Sequence, residues 1–160
     1  EAAVAALKSD PPLDLTCRAD AESWAERLGG VFLAPSTVRL TGGAVSVLEG
    51  YDEGAWWVQD AAAALPARLL GDVKGLRVAD LCAAPGGKTA QLGAAGASVT
   101  AVDISKARLK RLEENMTRLG LSVETVAADL RAYEPEELFD AILHDPPAPR
   151  CALDQEALRH

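Results

Sequence analysis

The sequence predicts an α/β fold, a doubly wound parallel sheet preceded by a small α+β segment, and three observations carry that prediction. From Leu76 onward short apolar strands alternate with helical patterns, the arrangement that sets a parallel sheet between helices. The first of these strands, 76–82, runs straight into Pro85-Gly86-Gly87-Lys88, a glycine turn that opens a helix. Ahead of residue 50 the alternation is missing, and a short helix with a hairpin pattern stands in its place.

Taken in order, Leu13-Asp14-Leu15-Thr16 reads as a short strand. Asp20, followed by Glu22 and Trp24, caps and opens a helix to Leu28, which Gly29-Gly30 stops. Val31-Phe32-Leu33 and Val38-Arg39-Leu40 flank the turn at 34–37 as a hairpin. Trp56 and Trp57 read as packing aromatics, with base stacking as the alternative. An alanine-rich helix is expected from Asp60 to Leu70, with Leu65 and Leu69 four apart and a kink at Pro66. Strands follow at 76–82, 98–102, 122–127 and 140–144. Between the second and third, Leu109, Leu112, Met116 and Leu119 recur at helical spacing, and Gly120 stops that helix. Lys106, Arg108, Lys110, Arg111 and Arg118 occupy its other faces and read as a solvated surface. The chain therefore divides near residue 50 into a lead-in, 1–50, and a core, 51–160.

With 160 residues, 49% apolar and 25% charged, the chain has one domain's worth of core-forming sequence. A formal net charge of −8 argues against a broad nucleic-acid surface, so any RNA contact is local or supplied elsewhere. Cys17, Cys82 and Cys151 are odd in number and lack C-x-x-C spacing, which indicates neither a zinc site nor a disulfide framework. No metal is expected, and a reducing interior is the default setting. No apolar run reaches the roughly 18 to 20 residues of a membrane span, and no basic-then-apolar leader opens the chain. The expectation is a soluble, cytoplasmic protein without membrane partners.

The candidate site lies along one rim. Asp103, Asp129 and Asp145 each sit at or just after the carboxyl end of a successive strand, where open α/β sheets bind ligands. Asp103 ends the second strand, placed to accept the hydroxyls of a ribose, and Lys88 adds positive charge beside the glycine turn. The turn Ala83-Ala84-Pro85-Gly86-Gly87-Lys88 lacks the spaced glycines of a dinucleotide-binding fingerprint, and no P-loop is present. What remains is a smaller adenosyl ligand with its amino acid end at the turn, ribose on Asp103 and adenine near Asp129. S-adenosylmethionine fits that description.

Asp80-Leu81-Cys82-Ala83-Ala84-Pro85-Gly86-Gly87-Lys88-Thr89 resembles the first cofactor motif of the NOL1/NOP2/Sun family of RNA (cytosine-5) methyltransferases. Gly54-Ala55-Trp56-Trp57-Val58-Gln59-Asp60-Ala61-Ala62 is similar to the segment that precedes the core in the Sun/Fmu branch, bacterial enzymes that methylate a cytosine of small-subunit ribosomal RNA. The resemblance implies a Rossmann-like fold of the class I S-adenosylmethionine methyltransferase type, here its first half. It also implies cofactor contacts from Cys82, Ala83, Ala84, Pro85, Gly86, Gly87 and Lys88, and from Asp103, Asp129 and Asp145. Asp145 would in addition face the base as a catalytic residue, with ribosomal RNA held partly by regions outside this chain. Such a sheet has about seven strands, so the strand ending at Asp145 is expected at an open edge, available for association.

The chain departs from the family pattern in two places. Asp145-Pro146-Pro147-Ala148 stands where the family runs Asp-Ala-Pro-Cys, and the later Thr-Cys motif that carries the nucleophile does not follow. Thr16-Cys17 lies far upstream and does not correspond, and Cys151 has only Arg150 beside it to lower its pKa. The nucleophile is needed because sulfur adding at C6 makes C5 enamine-like and able to take the methyl group. Two alternatives stay open. One is an amino-group methyltransferase of the Asp-Pro-Pro type, which needs no cysteine, and the other is an inactive S-adenosylmethionine-binding module.

Overall fold

Two four-stranded sheets organise residues 12–146, which are those the computed structural model describes. The first is antiparallel and built from β1 (Leu13–Cys17), β2 (Val31–Leu33), β3 (Thr37–Leu40) and β4 (Trp56–Val58), in the order β2-β3-β1-β4. Helix α1 (Ala21–Leu28) covers it, burying Ala21 and Ala25 against Leu15, Val38 and Leu40. The hairpin forms as the pattern predicts, with Phe32 opposite Val38. The cap does not. Asp20 stands left-handed, with φ 50°, rather than in the extended conformation a capping side chain uses, and makes no side-chain cap bond.

Strand β4 lies beyond the expected division at residue 50, yet it pairs with β1 and completes this sheet. Its alternation has a large consequence. Successive strand residues face opposite sides, so Trp56 enters the core of the first unit while Trp57 enters that of the second, beside Leu109, Leu112 and Met116. Both indoles are buried, and packing, not base stacking, is their role here.

The expected helix over 60–70 shrinks to α2 (Leu65–Arg68). The Asp60 carboxylate accepts from the N–H groups of Ala62 and Ala63 at 2.8 and 3.2 Å, a local turn that competes with helix. Pro66 falls in the first turn of α2, where its missing N–H leaves no bond unmade, so no kink arises. Leu65 and Leu69 face solvent, and Ala64 and Ala67 are the buried residues.

The second sheet is parallel, with β5 (Arg77–Leu81), β6 (Ser98–Asp103), β7 (Glu124–Ala127) and β8 (Ala141–His144) in the order β7-β6-β5-β8. All four strands fall where the alternation places them. Helices α3 (Gly87–Ala94) and α4 (Lys106–Leu119) pack on it, and Leu109, Leu112, Met116 and Leu119 are all buried, as their spacing predicts. The chain steps from β5 to β6 to β7 on one side and then returns to place β8 on the other side of β5. That reversal makes the carboxyl ends of β5 and β8 a switch point, where such sheets open a crevice. Among the described residues β8 is an edge strand.

Arg118 locks the two units together. Its guanidinium donates to the carbonyls of Tyr51 and Trp56 at 2.6 and 3.1 Å, is held by Asn115 at 2.8 Å, and lies over the Tyr51 ring. Arg18 reaches across to the Leu119 carbonyl. The basic face of α4 is therefore not wholly a solvated one. Gly54 adjoins this joint in a left-handed turn, and a Cβ there would stand 2.7 Å from the Arg118 carbonyl oxygen. Replacing Arg118 by Ala leaves two interior carbonyls without their donor, so Arg118→Ala should lower unfolding free energy by about 1–3 kcal/mol. Arg118→Lys should recover only part of that loss, since an ammonium cannot reproduce the planar fork. Urea denaturation of the three proteins provides the check.

Candidate active site

The site begins with a carboxylate inside an apolar strand. Asp80 is 2% exposed in β5 and accepts a bond from the Thr89 hydroxyl of α3 at 2.7 Å. Burial pushes its carboxyl up to about 6, against the opposing pull of Thr89 and Lys88, while Asp145 and Asp103 push it the same way as burial. Past Leu81 the chain must leave the sheet quickly. Cys82 does so in a left-handed conformation, φ 66°, and the Ala83 N–H then donates to the Val102 carbonyl at 3.1 Å. Gly86, φ 105°, turns the backbone into α3, and a Cβ on it would meet the Leu112 side chain at 2.9 Å. Only glycine satisfies both conditions.

A two-lobed cavity opens above this turn. The larger lobe, about 560 Å³, is lined by Asp80, the glycine turn, Lys88, Gln59 and Asp145. The smaller, about 260 Å³, is lined by Asp103, Ile104, Ala128 and Asp129. Cys82 and Arg108 border both lobes. Lys88 bridges to Asp145 at 2.8 Å, which ties the first turn of α3 to the end of β8.

Asp103 is the most constrained of the rim acids. Its carboxylate accepts from the N–H groups of Ala84 at 3.2 Å and Ser105 at 2.9 Å, with the Arg108 guanidinium 3.3 Å away. Ser105 caps α4, its hydroxyl accepting from the Arg108 N–H. Arg108 also donates to the Ala84 carbonyl, so one α4 residue holds both the turn and the acid. Asp129 is engaged by the Arg131 side chain and backbone N–H, which hold its carboxyl down at about 2. Burial, helped by Asp103, raises the Cys82 thiol, so it is kept from ionising.

The rim expected from sequence is thus assembled. Cys82 through Lys88, Asp103, Asp129 and Asp145 all border one cavity or its floor, with Ala83 and Ala84 buried and Pro85 exposed. Pro147, Ala148, Cys151 and His160 lie outside the described residues. Among those described, no cluster of His, Cys, Asp or Glu could hold a metal ion. Asp80, Gln59 and Arg108 are site residues that the sequence reading did not assign. Asp80 carried a signal, because an acid within Val78-Ala79-Asp80-Leu81 is out of place unless partnered. Gln59 accepts from the Trp57 indole at 2.9 Å and donates to Gln91 at 2.5 Å. It would also lie 3.4 Å from a Cβ on Gly87, a placement that no local pattern announces. Arg108 had no sequence signal, since its partners are a backbone carbonyl and an acid that only folding brings near.

Comparison with known proteins agrees with this architecture. Residues 67–155 match the family described as 16S rRNA methyltransferase RsmB/F. Ribosomal RNA small subunit methyltransferase B of Klebsiella pneumoniae is 45% identical over 132 residues, covering 79% of this chain and 30% of that protein. Its counterpart in Photorhabdus laumondii is 39% identical over 133 residues, with the same shares covered. The chain thus spans about a third of the length of these relatives. Among solved structures, a methyltransferase homolog protein from Pyrococcus horikoshii is 24% identical, with TM-score 0.72 over 96% of this chain and 58% of that one, a likeness of fold. NSun6 from Pyrococcus horikoshii with SFG is 33% identical, with TM-score 0.51 over 61% of this chain and 28% of that one.

Asp80 supplies a pH test. Its folded carboxyl titrates near 6 against an ordinary 3.8, so the protonated form is favoured by folding. Its contribution to stability is complete below about pH 4 and is lost as pH rises through about 6, by at most roughly 3 kcal/mol. Asp80→Asn keeps an acceptor for Thr89 and removes the titration. The variant should therefore gain on wild type steadily between pH 4 and 7 in thermal melts, and a gap independent of pH would overturn this assignment.

Proposed function

This chain belongs to the 16S rRNA methyltransferase RsmB/F family, and we propose that it is the cofactor-holding part of an enzyme that methylates C5 of a cytosine in small-subunit ribosomal RNA. The observation that carries the reading is the Lys88–Asp145 bridge at 2.8 Å, because it joins the cofactor turn to the rim where a base would enter. The cavity fits S-adenosylmethionine by charge as well as shape. The ligand carries a sulfonium, an ammonium and a carboxylate. Asp80, Asp103 and Asp145 complement the first two, and Lys88 with the free N–H groups of α3 complements the third. The smaller lobe takes the adenosine, with ribose hydroxyls on Asp103 and the ring between Ile104 and Asp129.

When bound, this cofactor supplies an electrophilic methyl group. The chain's own residues do the remaining positioning. Gly86 and Gly87 let backbone approach the amino acid end, Arg108 and the Ala84 N–H fix the Asp103 carboxylate, and Lys88 fixes Asp145 facing the base. Methylation at C5 also requires a thiolate that adds to C6 and leaves once the C5 proton is removed. Neither described cysteine provides it. Burial pushes Cys17 up to about 11, and Cys82 is held as a thiol in the floor of the cavity. We therefore place the nucleophile in the remainder of the protein, and the enzyme in the cytoplasm, where ribosomal RNA is met. Family membership favours the C5 reading over amino-group transfer or a silent binding module.

The experiment is methyl transfer from labelled S-adenosylmethionine to small-subunit ribosomal RNA by the full-length protein, with the position of the label determined. Label at C5 of cytosine is expected, and label on an exocyclic nitrogen, or none, would overturn the reading. In calorimetric titrations, Asp103→Ala should weaken cofactor binding by about 1–3 kcal/mol, roughly 5- to 150-fold, as a charged hydrogen bond is lost. Unchanged affinity would remove Asp103 from the ribose site.

A further inference from the structure

The described residues contain a second cleft, about 490 Å³ in volume, away from the methyl-transfer pocket. It lies between the first sheet and the carboxyl end of α3, where Gln91, Leu92 and Ala94 form one wall. The glycine turn is at the other end of that helix, roughly 10 Å off. In a chain with 24 acidic and 16 basic residues, no carboxylate among the described residues lines this cleft. Arg18 and Arg68 do line it, and neither forms an ion pair among the described residues. Arg68 is turned toward hydroxyls, donating to Ser36 at 3.2 Å.

A second observation is independent of the arginines. Thr16 is 2% exposed and borders the cleft, and its Oγ1 is the one buried side-chain polar atom among the described residues with no hydrogen-bond partner. An unpaired buried hydroxyl costs free energy, so a structure that retains one beside an open cleft has a place for a ligand acceptor there. The cleft offers donors and positive charge without a base or nucleophile, since burial holds the Cys17 thiol far from ionisation. It is built to bind and not to react.

We propose that this cleft holds a phosphate of the RNA strand, with Arg18, Arg68 and the Thr16 hydroxyl as its ligands, as a docking point distinct from the cofactor pocket. The identity of the anion rests on the function proposed above, whereas the cationic cleft itself does not. An otherwise acidic chain must concentrate phosphate contacts where carboxylates are absent, and among the described residues this is such a place.

The test uses the full-length protein as wild type, Arg68→Gln and Thr16→Val. Small-subunit ribosomal RNA is titrated at several salt concentrations, and cofactor affinity is measured on each protein as a control for folding. Loss of one phosphate contact should lower the salt slope of Arg68→Gln by about 1, with weaker RNA binding and unchanged cofactor affinity. Thr16→Val should bind RNA about fivefold more weakly at constant slope, the effect of one neutral hydrogen bond. Equal slopes and affinities in all three proteins would overturn the proposal, as would absence of RNA binding by wild type. Adenosine monophosphate serves as a competitor: saturable binding that Arg68→Gln abolishes, without any change in RNA slope, would assign the cleft to a free nucleotide and overturn RNA as occupant. A lowered slope together with methyl label away from C5 would sustain the cleft and overturn the reaction proposed above.

Discussion

The carboxylate of Asp103 is the point on which the site is hung. It receives the Ala84 N–H from the turn after β5, the Ser105 N–H from the start of α4, and the Arg108 guanidinium, while its own backbone ends β6. Two segments distant in sequence, the turn at Ala84 and the stretch from Asp103 to Arg108, therefore converge on two oxygen atoms. In a parallel sheet every strand delivers its chain to the same rim, and the turns that leave it are held only by what they find there. A buried acid at the end of the central strand gives them a common partner, and its near-complete burial makes those bonds stronger than they would be in water.

The glycine turn depends on the same packing from below. Gly86 clears Leu112, which is fully buried with Met116 and Ala90, so the floor of the candidate cavity is also the top of the hydrophobic core. Trp57 joins that core from the other sheet and hands its indole N–H to Gln59, which then lies against Gly87. The first unit thus supports the cavity wall, and Arg118 keeps it in register. Charge is distributed to match. Acids gather on the rim, where a cationic ligand would lie, and among the described residues are missing from the lining of the cleft between the sheets.

Periodicity determined much of this protein without any tertiary information. The four parallel strands, the long helix with its buried Leu109, Leu112, Met116 and Leu119, the hairpin and the rim acids follow from spacing alone, because the sheet and helix periods are properties of the backbone. The glycine turn was equally legible, since the conformation it needs is closed to other residues. What spacing could not decide was the fate of residues whose partners come from elsewhere. Asp20 has a capping sequence and no capping geometry, and the alanines after Asp60 yield to a turn that Asp60 itself makes. Arg108 and Arg118 both lie off the apolar stripe of their helix, yet one grips the glycine turn and the other a neighbouring sheet, while their lysine neighbours face solvent. Helix spacing specifies a direction around one axis. It says nothing about which carbonyls, carboxylates or indoles a second element will bring to that side, and those long-range encounters are what the folded chain alone supplies.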